Sequence, residues 1–266
     1  MRFLISAPEY TGASGGISAL YELHDDLKTL GYESEILLWT KFHNLKDDDI
    51  VIYPEVVSGN PLLAKNVVRY VLNRDGVLTG NKMNESENDF IFSWARIYHP
   101  SSHANLLKYS IPEYFNDVGT KSALDRHIDC TYVGKGSIYK NCPIIQNTIE
   151  INKNNPISKM ALADLLRHTR LLYTYDTLTS VVNEAILCGA MVVPLYWNPF
   201  TEDEMNNSDY KFPYISVLYN HINIPINYFN NREQHINNIK NHTLTYMNKL
   251  DIIAKQILRH FGSNSV

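Results

Sequence analysis

The chain has little cysteine, no excess of basic charge and no long apolar run, and each shortage removes a class of protein. Its three cysteines, Cys130, Cys142 and Cys188, form no C-x-x-C pair and no even framework. That argues against disulfide scaffolds and structural zinc, and for a reducing compartment. Lysine and arginine total 24 against 28 aspartates and glutamates, a net charge of −4. Broad nucleic-acid binding needs a basic surface to neutralise phosphates, so no nucleic-acid partner is expected. No stretch approaches the roughly 18 apolar residues that span a bilayer. The opening run MRFLISAPEYTG holds one positive charge and a short apolar segment, and reads as a first strand, not a signal peptide. Internal repeats and low-complexity tracts are missing too. The expectation is a cytoplasmic protein, peripheral to the inner membrane at most.

What is present is alternation. Short apolar runs alternate with longer amphipathic stretches, which predicts βαβ units and mainly parallel sheets. In the first half, strands are expected at 3–7, 34–39, 50–53 and 89–94. A helix carrying Ile17, Leu20, Tyr21, His24 and Leu27 stops at Gly31, and a second is expected to start at Pro61 and include Leu62, Val67, Tyr70 and Val71. The segment 100–128, with Pro100, Pro112 and Gly119, reads as irregular and holds the linker. A second set of units follows: strands at 131–133, 144–151, 171–175 and 191–195, a helix from Ser158 as N-cap to His168, and a helix from Thr179 to Cys188 stopped by Gly189. Residues 198–230 read as polar and irregular. Ile236, Ile239, Thr243, Met247, Leu250, Ala254, Ile257 and Phe261 then recur at helical spacing, with Lys240, Lys249, Lys255 and Arg259 on the opposite face. The domains expected are 1–120, 128–230 and a helix over 231–262 that crosses back to the first domain.

The Gly-rich turn Thr11-Gly12-Ala13-Ser14-Gly15-Gly16-Ile17-Ser18 is similar to the phosphate-binding turn of short-chain dehydrogenases. Two features argue against a dinucleotide site. The last glycine is replaced by Ser18, and none of the 18 tyrosines has the lysine four residues later that would lower its pKa. Gly15 and Gly16 still suit contact with phosphate or an acceptor, because glycine lets a ligand lie against the backbone.

The densest chemistry lies between Tyr173 and Pro194, in a strand, a polar turn, a helix, a glycine stop and a strand. Thr177, Thr179 and Ser180 fall at the helix N-terminus, where hydroxyls, N–H groups and the helix dipole favour a diphosphate. Glu184 follows one turn in, and a carboxylate there can accept both hydroxyls of a ribose. Doubly wound folds bind ligands at this edge of the sheet.

This segment resembles the nucleotide-sugar site of GT-B glycosyltransferases, whose pattern is an acidic residue, seven residues, Glu-Ala, and a glycine before an apolar strand. Asp176, Glu184-Ala185 and Cys188-Gly189 match that pattern, with aspartate replacing the family's usual first glutamate. Upstream, Tyr132-Val133-Gly134-Lys135-Gly136 followed by Lys140 is similar to the start of the family's second domain. The resemblance implies two Rossmann-like domains facing across a cleft, the second of them trimmed, with the long C-terminal helix beyond. It implies that Glu184 binds the donor ribose, that Lys135, Gly136 and Lys140 hold the diphosphate, and that Asp176 lies near the donor sugar. The activity implied is sugar transfer from a nucleotide sugar to a glycan or lipid-linked acceptor, as in bacterial surface polysaccharide synthesis. The nucleotide sugar is a substrate, and no cofactor or metal is expected. The alternatives are a sugar-nucleotide epimerase or hydrolase of the same fold and a non-catalytic nucleotide-sugar binding module.

Glu55, just past a strand end, is a candidate general base for an acceptor hydroxyl. His99, with Arg96, is a candidate basic group from the first domain. The run Asp47-Asp48-Asp49 imitates a metal-binding D-x-D but precedes a strand, and reads as a solvated turn. His99 and His103 have zinc-like spacing, broken by Pro100.

Overall fold

A computed structural model describes residues 1–10, 14–41, 44–138, 141–152, 154–197, 199–219 and 221–262. The chain divides into two compact units, Met1–Lys108 with Leu244–Val266, and Tyr109–Thr243. Both are α/β and Rossmann-like, built on parallel sheets.

The first unit holds β1 (Phe3–Ala7), α1 (Gly15–Thr29), β2 (Ser34–Leu38), β3 (Ile50–Pro54), β4 (Asn66–Val71), β5 (Phe90–Ser93) and the two-residue β6 (Ala104–Asn105). They form a six-stranded parallel sheet in the order β2-β1-β3-β4-β5-β6. The strands β1 and β3 are buried along their whole length, as strands covered on both faces must be. On one face Phe3, Ile5, Ile50, Ile52, Val68, Tyr70, Phe90 and Phe92 pack with Leu20, Leu23 and Leu27 of α1. The same cluster includes Tyr246, Leu250, Ile253, Ala254, Ile257 and Phe261 from the last helix. On the other face Leu4, Leu37, Val51, Tyr53 and Val67 are covered by Leu45, Val57, Leu62 and Ala64, which come from connecting segments and not from helices.

The helix expected from Pro61 is absent, and β4 stands in its place. Val67 faces one core cluster while Val68 and Tyr70 face the other, so the run Asn66–Val71 alternates with period two. Its β-branched and aromatic residues suit a pleated surface. Arg69, 1% exposed, occupies an inward position and donates to Asp89 Oδ2 at 2.7 Å and to the carbonyls of Val57 and Gly59. It also lies 5.2 Å from the centre of the Tyr53 ring. A buried arginine fully used in this way pins the connection after β3 to the sheet.

The second unit holds β7 (Ile128–Tyr132), β8 (Ile149–Ile151), α2 (Lys159–His168), β9 (Thr169–Thr174), α3 (Ser180–Leu187), β10 (Met191–Pro194), α4 (Glu202–Asn206), β11 (Ser216–Leu218) and β12 (His221–Asn223). The parallel order is β10-β9-β7-β8. Ser158 caps α2 by accepting from the N–H of Ala161, as the sequence predicts. The strand expected over 144–151 is limited to β8. Residues 198–230 are less irregular than expected: Thr201 and Glu204 form a capping box for α4, and β11 pairs with β12 as an antiparallel hairpin. Buried Arg126 gathers the C-terminal ends of two helices, donating to the carbonyls of Leu166, Thr169 and Cys188. A cation suits those partial negative charges.

The last helix, α5 (Tyr228–Gly262), is 35 residues long. Its buried positions are Tyr228, His235 and Ile239 in the second unit, and Tyr246, Leu250, Ile253, Ala254, Ile257 and Phe261 in the first. Thr243, expected on the apolar stripe, is exposed. Among the described residues no helix is long and apolar enough to cross a membrane.

Candidate functional site

In an open parallel sheet, ligands bind outside the carboxyl ends of the strands where the strand order reverses. In the second unit that reversal falls between β7 and β9, because β8 lies on one side of β7 and β9 on the other. The chain leaves β7 into the turn at 134–136 and leaves β9 into the turn at 175–179, so sequence-distant residues meet there.

The two turns are locked together. Asp176, 5% exposed, accepts the N–H of Lys135 on Oδ2 at 2.9 Å and the N–H of Leu178 on Oδ1 at 3.3 Å. The Lys135 ammonium donates to the Leu178 carbonyl at 3.0 Å and stands 4.0 Å from Asp176 Oδ1. Both glycines are required by close approach. Gly134 has φ +50°, and a Cβ on it would lie 2.6 Å from Asp176 Oδ2. A Cβ on Gly136 would lie 2.5 Å from Tyr175 Cβ and 2.6 Å from the Tyr175 carbonyl. Asp176 therefore clamps the turns, and Gly136 packs against Tyr175. Lys140 lies outside the described residues.

Next to the clamp is the N-terminus of α3. Thr179 is the N-cap and makes no side-chain capping bond, and Ser180 is exposed. Thr177 is 1% exposed, and its Oγ1 has no hydrogen-bond partner. Glu184, 2% exposed, binds the Lys159 ammonium through Oε1, while its buried Oε2 has no partner. Burial pushes the Glu184 carboxyl up from its ordinary value, and Lys159 together with the nearby Ser180 hydroxyl, which stands outside hydrogen-bond geometry to Oε2, pulls in the opposite direction. Folded proteins rarely leave buried oxygens unbonded, so Thr177, just before α3, and Glu184, in the middle of it, each hold an acceptor that a hydroxyl or N–H donor can fill.

Behind α3 runs a fully buried relay. His235 Nε2 meets Asn183 Oδ1 at 2.9 Å, Asn183 Nδ2 donates to Tyr210 Oη at 3.2 Å, and Tyr210 Oη donates to the Thr179 carbonyl at 3.3 Å. Burial lowers the His235 pKa to about 4, which keeps the imidazole neutral. The relay holds the Thr179 carbonyl at the N-cap of α3. Sequence reasoning missed both it and Lys159. Lys159 had one readable signal, a cation in the first turn of a helix whose dipole disfavours it.

In the first unit the strand order reverses between β1 and β3. Gly15 and Gly16 form the first turn of α1 with nothing crowding Gly15, and Ser14 caps the helix by accepting from Ile17. The preceding residues 11–13 lie outside the described set. Glu55 does follow β3, but it is 3% exposed and its Oε2 accepts the N–H of Leu72 at 2.9 Å. It therefore joins two strand ends. His99 follows a short turn after β5; its Nε2 lies 3.7 Å from Glu85 Oε1 and its buried Nδ1 has no partner. His103 bonds the backbone of Ile91 and stacks on Phe90 at 4.6 Å. Asp49 corrects the expectation of a solvated turn. It is 2% exposed, accepts from Arg2 and from the N–H of Lys46, and its neighbours Asp47 and Asp48 pair with Lys65 and the N-terminus. Asp49, through Arg2, thus ties the start of β1 to the start of β3, while Asp47 and Asp48 stay exposed.

The fold and the site together define an α/β protein with Rossmann-like parallel sheets and two buried side-chain oxygens without a hydrogen-bond partner, on Thr177 and Glu184, in the segment that follows β9. Compared with known proteins, the chain matches no family model and no curated sequence.

Proposed function

We propose that the chain is a glycosyltransferase of GT-B type, moving a sugar from a nucleotide-sugar donor to a glycan or lipid-linked acceptor. The observation that carries this reading is the pair of buried, unpartnered oxygens, Thr177 Oγ1 and Glu184 Oε2, beside the N-terminus of α3. Leaving such an atom unbonded costs about 1–3 kcal/mol, a penalty that a bound ligand removes. Ribose hydroxyls supply the missing donors for Glu184. The diphosphate of the same ligand then lies at the first turn of α3, near Thr179 and Ser180, with the Lys135 ammonium alongside. Positive charge in that place stabilises the nucleotide as it leaves, so it serves the transition state as well as binding. Because this reading assigns the positive charge on the diphosphate to Lys135 and not to a metal, sugar transfer is expected to persist in EDTA. The exposed Lys240, Lys255 and Arg259 of α5 would favour peripheral contact with anionic lipid, where a lipid-linked acceptor is presented.

The first test is thermal stability with UDP, GDP, CMP, dTDP and their sugars. A ligand of the folded state raises the melting temperature by mass action. One nucleotide should do so, and Glu184→Ala should abolish the rise. Acceptor-dependent release of that nucleotide then supports transfer. Conversion of the sugar without acceptor would favour the epimerase or hydrolase alternative, and binding without turnover the binding module. No shift with any nucleotide would overturn the reading.

A further inference from the structure

Lys159 is the first residue of α2, and that helix has no acidic residue in its first turn. A cation there opposes the helix dipole, so helix stability does not account for it. Its ammonium binds Glu184 Oε1 and lies 5.7 Å from the centre of the Phe115 ring. The two partners differ sharply in burial: the Lys159 side chain is 53% exposed and that of Glu184 only 2%. The pair is thus half made, with a solvated cation on one carboxylate oxygen and no partner on the other.

We propose that Lys159 is an exchangeable anchor of the ligand site. With the site empty, it compensates the buried charge of Glu184. When ligand hydroxyls take the Glu184 oxygens, the ammonium is released and turns to an anionic group of the same ligand. The ligand class this pairing selects carries paired hydroxyls and a phosphate close together, as a nucleoside diphosphate does. The inference rests on the reading given under Proposed function, and it adds a positioning and selectivity role that the Asp176–Glu184 pattern does not contain.

Calorimetric titration of the full chain with uridine, UDP, guanosine and GDP tests it, using wild type, Lys159→Met and Lys159→Arg. In the nucleotide that wild type prefers, Lys159→Met should weaken the diphosphate by about tenfold, the size of one charged hydrogen bond, and leave the nucleoside within about twofold. Lys159→Arg should keep the preference for the diphosphate. A purely structural lysine would weaken nucleoside and diphosphate alike, and that result overturns the proposal. So does an unchanged ratio in Lys159→Met. If Lys159→Met does not fold, Lys159→Gln carries the same measurement. Wild type that binds none of these compounds, and shows no thermal shift with CMP or dTDP either, would overturn the ribose site itself, and the anchor with it. Binding with an unaltered ratio would overturn the anchor alone.

Discussion

Two buried carboxylates, Asp89 in the first unit and Glu184 in the second, are each held by a cation, and the two pairs are built differently. Arg69 and Asp89 are both buried, and Arg69 also donates to two carbonyls. Lys159 is half exposed, and Glu184 keeps an oxygen without a partner. The first pair is buried on both sides, and its arginine also ties down two backbone carbonyls, as a structural pair does. The second is open, with a charge and an acceptor in reserve. Completeness of bonding, more than burial or charge, separates these two ion pairs, and it is on this difference that the proposed ligand site rests.

The comparison can be broken most directly at Arg69. Arg69→Met leaves Asp89 buried without its cation, which should cost about 3–5 kcal/mol. Urea denaturation measures it, and a loss below about 1 kcal/mol would mean the closed pair is not structural. The buried relay behind α3 gives the next effect. A histidine whose folded pKa is depressed stabilises the fold above its unfolded value, and that stability is lost as pH falls. For His235 the window runs from 6.5 down to about 4. Wild type should therefore lose about 2–3 kcal/mol across it, and His235→Gln should flatten that part of the profile. An identical slope in both proteins would remove the relay from the account.

Smaller still is Gly136→Ala. The new methyl meets the Tyr175 carbonyl, so the turn must shift, at a cost of about 1–3 kcal/mol. If the clamp places the ligand, nucleotide affinity should fall with stability. Unchanged affinity in a destabilised protein would separate the two. The smallest stability effect is expected at Glu184, and there the sign matters. An acid whose folded pKa is raised stabilises the fold while protonated. That contribution is complete below its ordinary value of 4.5 and is lost as pH rises through the folded value. Glu184→Gln should therefore be as stable as wild type at pH 7, or up to about 1 kcal/mol more so, while losing nucleotide affinity. A large loss of stability would place Glu184 with Asp89, and the contrast between the two pairs would collapse.

Much of the fold was legible because local patterns and tertiary demands agreed. Ser158 was readable as an N-cap, Gly189 as a helix stop, and Phe3–Ala7 as a buried strand. The helix expected over 66–71 failed for a physical reason. Leu62, Val67, Tyr70 and Val71 imitate a helical face, but burial on both sides of a sheet imposes period two, and the buried Arg69 hides that period behind a charge. At the site, the helix N-terminus with Thr177, Thr179, Ser180 and Glu184 was foreseeable from spacing alone. Glu55 and Asp49 show the opposite case. Both follow or precede strands as expected, yet bonds to Leu72, and to Arg2 with Lys46, come from residues far along the chain or across a turn.

The sequence by itself determined the α/β alternation, most helix ends and the polar cluster before α3, because capping, periodicity and glycine stops act over a few residues. Only the tertiary structure decided which polar groups are spent. Whether Asp89 is closed by Arg69, whether Asp176 clamps the turn at 134–136, and whether Glu184 keeps a free oxygen beside Lys159 depend on which segments meet at the sheet edges. Those meetings follow from strand order, which arises when distant runs bury their apolar faces together, and no local pattern encodes it.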